Sequence, residues 1–144
     1  MSKKLTSRQK EYFKLVEKEI YNYHYTKREI KEQRMAIIEG GGKPETSVQS
    51  APGDPTGSKA TRLVTSSTLM HMEKVVGAIE DALKELEFEP VRKEMIRLKY
   101  WDRRLKDYGI MQELNIPKNT FYSWRRKFVY SIASKLGWDA GQEG

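Results

Sequence analysis

The sequence predicts an all-α protein: two long helices joined by a flexible linker, followed by a helix-turn-helix domain. Three observations predict it. Apolar residues recur at spacings of three, four and seven over residues 13–37, and of three and four over 69–86. A stretch rich in Gly, Pro, Ser and Thr separates the two runs at 40–60. Residues 105–136 then carry the pattern helix, tight turn, longer helix. The expected divisions are a long N-terminal helix (1–39), a flexible linker (40–60), a heptad-patterned helix (61–89), the helix-turn-helix domain (90–138) and a tail (139–144).

Thr6 and Gln9 have the capping-box spacing that opens a helix. Phe13, Val16, Ile20, Tyr23, Ile30 and Ile37 share one heptad seam, which Lys27 and Arg34 interrupt in its second half. Gly40-Gly41-Gly42 stops that helix. The 40–60 stretch holds five of the ten glycines and three of the five prolines, so it reads as linker. Asp54-Pro55 offers a cap followed by Pro at a first helical position. Leu69, Met72, Val76, Ile79, Leu83 and Leu86 form an unbroken seam suited to pairing with the first helix or with a second copy of the chain. Thr65 to Thr68 form helices weakly, which predicts a bend there. Pro90 opens a third helix with Val91, Met95, Leu98 and Trp101 on its apolar face.

Ile110 and Leu114 share one face of the next helix. Asn115 stands where the chain turns, and Asn tolerates a left-handed backbone. Pro117 suits the first position of the following helix. Ile110, Leu114, Ile116, Phe121 and Trp124 can then close a small core between two crossed helices, and Gly137 ends the second with Trp138 folded back on it. That core leaves Lys118, Asn119, Tyr122, Ser123, Arg126 and Lys127 facing outward, types that grip phosphates or read base edges. Arg103, Arg104, Arg125 and Lys127 are expected phosphate contacts. The competing reading is a plain helical hairpin with a solvated basic face.

The net charge of +7 is unevenly spread. Residues 91–136 carry twelve Lys/Arg against four acids, while 61–89 carry three against six. The positive field thus coincides with the helix-turn-helix, as binding to double-stranded DNA requires. There is no cysteine, which excludes disulfides, zinc ribbons and thiol catalysis. His24 and His71 have no neighbouring ligands in sequence, and no nucleophile motif or acid cluster suggests an enzyme. No cofactor is expected. No apolar run reaches membrane-spanning length, so a soluble intracellular protein is expected.

The stretches LEFEPVRKEMIRLKYW and IMQELNIPKNTFYSWRRKFVYSIASKLGW resemble the promoter-reading region four of bacterial sigma factors. With GDPTGSKATRL at 53–63 and the seam at 69–86, the chain resembles the RinA/ArpU type of phage late-gene transcriptional activators over about residues 53–138. Met111 and Asn115 depart from the Ala and Gly usual in that motif. The resemblance implies base reading through Lys118, Asn119, Tyr122, Ser123 and Arg126. It also implies activation of packaging and structural genes with host RNA polymerase, in the cytoplasm of a bacterial host. A homo-oligomer through the heptad helices is compatible with it. The alternative is a small terminase subunit, which combines a helix-turn-helix with helical oligomerisation and recruits a packaging ATPase.

Overall fold

The computed structural model describes residues 7–40 and 63–138. Every regular element among them is helical: α1 (Ser7–Tyr21), α2 (Tyr23–Gly40), α3 (Ser66–Lys84), α4 (Pro90–Ile96) running on as a π-helical segment (Arg97–Asp102), α5 (Asp107–Leu114) and α6 (Lys118–Leu136). Thr6, nearly all of the expected linker and Asp54-Pro55 fall outside the described residues. The chain forms two compact units. One takes α1 as far as Asn22 and then the chain from Gly77 onward; the other runs from Tyr23 to Val76.

The expected single N-terminal helix is two helices. The chain breaks at Asn22, whose N–H still reaches back to the Lys18 carbonyl at 3.1 Å. Asn competes for backbone hydrogen bonds through its own side chain and favours turns over helix interiors. The heptad pattern does not register the break, because Val16, Ile20 and Tyr23 are all buried on its two sides.

The second unit is small. Gln33 is fully buried in it, with its Oε1 accepting from the Val64 N–H at 3.0 Å and its Nε2 donating to Glu29 at 3.1 Å. Arg34, which sits on the polar interruption of the seam, donates through Nε to Glu73 at 2.8 Å. Leu69, Val75 and Val76 supply its apolar interior along with Tyr23. The predicted bend at 65–68 is instead a helix start. Thr65 Oγ1 accepts from the Thr68 N–H at 3.1 Å, satisfying one of the donors that a helix N-terminus leaves open.

The first unit holds the main core. From α1 come Val16 and Ile20, and from the end of α3 and the turn after it come Ala78, Ile79, Ala82 and Leu86. Met95, Ile96, Leu98 and Tyr100 follow from α4 and its π segment, then Ile110 from α5, and Phe121, Phe128, Val129, Ile132, Ala133 and Leu136 from α6. α1 packs on α6 and on the π segment. The apolar face expected for the third helix is re-aimed by the π turn. The Arg103 N–H bonds the Leu98 carbonyl five residues back at 3.1 Å, so one extra residue enters the turn and Tyr100 points inward with Leu98. Val91 is left 45% exposed, outside the core assigned to it.

Replacing Thr65 by Ala removes the cap of α3. It should lower stability by about 1 kcal/mol in a denaturant titration, with little change in helical signal.

Candidate nucleic-acid interface

The turn between α5 and α6 is built by backbone. Asn115 adopts the left-handed region (φ 56°, ψ 49°). Its N–H bonds the Gln112 carbonyl at 3.2 Å, and the Ile116 N–H bonds that of Met111 at 3.0 Å. This pair of bonds is a Schellman ending, usually assigned to Gly, which Asn supplies at modest cost. Pro117 caps α6 from one position before its first turn (φ −73°, ψ 159°), so the helix starts at Lys118. Beneath the turn, Ile110 and Phe121 have no exposure, while Leu114, Ile116 and Trp124 are half-buried. The Arg92 guanidinium lies over the Trp124 ring, 5.6 Å from its centre. α6 closes as α5 does: Gly137 is left-handed and the Trp138 N–H reaches the Ala133 carbonyl at 2.8 Å.

On α6, Lys118, Asn119, Arg126 and Lys127 are exposed. Tyr122 and Ser123 are half-buried, with the Tyr122 ring edge-on to Phe121 at 5.1 Å. The outward face therefore holds three cations and one amide, flanked by a tyrosine that is held from below.

Arg125, one of the expected phosphate contacts, is engaged within the fold. It lies on the face of α6 turned to α1, where Nε and a terminal nitrogen donate to the two oxygens of Glu17 at 2.8 and 3.0 Å. Its guanidinium sits 5.1 Å from the Phe13 ring centre. The Tyr100 hydroxyl donates to the same Glu17 carboxylate at 2.5 Å. Burial pushes the Tyr100 phenol far above the usual tyrosine range, and the Glu17 charge adds to this, so it remains a donor. The hydrogen bonds to Glu17 raise the Arg125 pKa further. This arginine is a strut.

Arg103 and Arg104 belong to the turn after the π segment, and both have partners in the chain. Arg103 is left-handed (φ 60°), and its guanidinium covers the Tyr21 ring at 4.5 Å. Arg104 is exposed and donates through Nε to Asp102 at 2.8 Å. The Arg104 side chain, then its backbone N–H, holds the Asp102 carboxyl down at about 2.

The side chains missed in the sequence are on α1. Lys10, Phe13, Lys14 and Glu17 face Tyr122, Arg125 and Arg126 of α6 across a cleft of about 370 Å³. Phe13 lies on the heptad seam of the first helix, but nothing local in the sequence says which helix Lys10, Phe13, Lys14 and Glu17 meet. Among the described residues there is no group of three or more His, Cys, Asp or Glu side chains placed to hold a metal ion, and no helix is long and apolar enough to cross a membrane.

Residues 37–134 match the model of a family described as "Protein of unknown function (DUF722)". No curated protein matches the chain. No solved structure matches it.

Two outcomes test this geometry. Glu17→Gln keeps the shape but removes the charge that Arg125 and Tyr100 share. It should cost about 2–3 kcal/mol, below the full cost of breaking a deeply buried pair because Arg125 keeps some contact with water. Unfolding midpoints measure it. The Asp102–Arg104 link has a carboxyl whose folded pKa lies below the unfolded value of about 3.9. Its contribution is complete above that value and is lost as pH falls through about 2, which a carboxyl carbon NMR titration of Asp102 should show.

Proposed function

The chain belongs to the DUF722 family, which carries no assigned activity, and we propose that it is a sequence-specific double-stranded-DNA-binding protein that activates transcription of phage late genes together with host RNA polymerase. The observation that carries the DNA-binding part is the exposed stripe of Lys118, Asn119 and Arg126 on a helix set by a tight left-handed turn, in the most basic segment of the chain. Asn119 offers the paired donor and acceptor that adenine presents to the major groove, and Arg126 the fork that guanine accepts. Lys118, at the helix start, and Lys127 suit phosphates. Tyr122, braced by Phe121, offers an edge to a thymine methyl or a hydroxyl to the backbone. The activator role and the polymerase partner rest on the sequence resemblance to phage late-gene regulators and to sigma region four.

Selection of genomic DNA fragments by the purified protein tests the whole reading. Recovery of a site upstream of late genes supports an activator; recovery of a packaging site overturns that role and favours a terminase subunit.

Two finer outcomes belong to the interface. With about six phosphates neutralised, log affinity for duplex DNA should fall with log salt at a slope of about −5, and a slope near zero excludes the interface. Asn119→Ala and Arg126→Ala should each cost about 1–3 kcal/mol on the preferred site and relax its sequence preference, whereas Lys118→Ala should weaken specific and scrambled duplexes equally in a competition assay.

A further inference from the structure

The cleft between α1 and α6 joins the base-reading stripe to a helix that the sequence did not connect with it. Tyr122 and Arg126 belong to both the stripe and the cleft, and Lys10 and Lys14 form the opposite wall. Lys10, Lys14 and Arg126 are exposed, and none of them is in an ion pair among the described residues. The acid in the lining, Glu17, has both oxygens occupied by Arg125 and Tyr100. The remaining field in the cleft is therefore positive. Two aromatic side chains, Phe13 and Tyr122, both half-buried, complete the lining. Three cations left uncompensated around one cleft match the chemistry of a sugar-phosphate strand, whose phosphates take the cations.

We propose that α1 is part of the DNA interface: Lys10 and Lys14, facing Arg126 across the cleft, grip the phosphates of one duplex strand beside the bases met by α6. This rests on the duplex-binding reading above and adds to it a second gripping element. The Glu17–Arg125 ion pair acts in it as a positioning device, since it sets the spacing of the two walls without touching the nucleic acid.

The test uses the full chain. Lys10→Ala with Lys14→Ala should weaken binding about tenfold at moderate salt and move the salt slope from about −5 to about −3, because each lost phosphate contact removes about one unit. The ratio of specific to scrambled affinity should stay unchanged, since phosphate contacts carry no base information. A control with the same change of charge on exposed lysines of the second unit, Lys31→Ala with Lys74→Ala, should leave the slope near its original value. A slope that responds to Lys118→Ala but no more to the α1 pair than to the control overturns the α1 grip and leaves the base-reading helix standing. No salt dependence in the unaltered protein overturns both. A second arm holds even if the double variant folds poorly. The chain has no cysteine, so Lys14→Cys gives a single site for an iron chelate that cleaves nearby deoxyribose. Cuts on one strand flanking the recognised bases support the proposal; cuts absent from bound DNA overturn it.

Discussion

The carboxylate of Glu17 is the fixed point of the unit that holds α1 and α6. An ionised carboxylate only accepts hydrogen bonds, and this one takes three from two different elements: the Tyr100 hydroxyl of the π segment and two nitrogens of Arg125 on α6. α1 places Val16 and Ile20 fully inside and sets Phe13 edge-on to Tyr130 of α6, non-directional contacts that by themselves choose weakly among neighbouring registers. A charged fork at 2.8 and 3.0 Å does choose, because a slip of one residue breaks both bonds at once. Withdrawing Arg125 into this contact also divides the run Arg125-Arg126-Lys127 by role, one charge holding the fold and two left to solvent.

The π segment serves the same contact. A regular α-helix through residues 97–102 would follow the spacing of Val91, Met95 and Leu98 and turn Tyr100 away from the core. The inserted residue brings Tyr100 in toward Glu17 and lets the Trp101 indole N–H donate to the Ile20 carbonyl at 2.8 Å. The segment exits through a left-handed arginine, a conformation that costs a non-Gly residue about 1 kcal/mol or more. The Arg103 guanidinium over Tyr21 offsets part of that cost.

What the sequence disclosed and what it hid follow one division. Most local signals were legible: the helices apart from the break at Asn22, the turn at Asn115, the Gly137 ending and the Ile110–Phe121 core all depend on residues a few positions apart. Features set by distant partners were not. Nothing local pairs Arg125 with Glu17, which lies 108 residues away. Gln33 carries no local signal of burial, because the hydrogen bond that satisfies it comes from a backbone N–H 31 residues on. Tyr100 was hidden for another reason: a pattern count assumes a constant turn, and the helix widens there. Lys10 and Lys14 were visible as charges but had no assigned neighbour.

Because the first unit draws its parts from both sides of the second in the sequence, its order of synthesis matters. Glu17, Val16 and Ile20 leave the ribosome well before Tyr100 and Arg125 exist to receive them. During that interval α1 is a short amphipathic segment with nothing to bury against, too short to hold its helix firmly in water. The closing step then joins residues about a hundred positions apart, a long-range contact of the kind that slows folding. The nascent chain can build the α5–α6 hairpin from neighbours alone, so that hairpin is assembled by local contacts and α1 docks onto it afterwards.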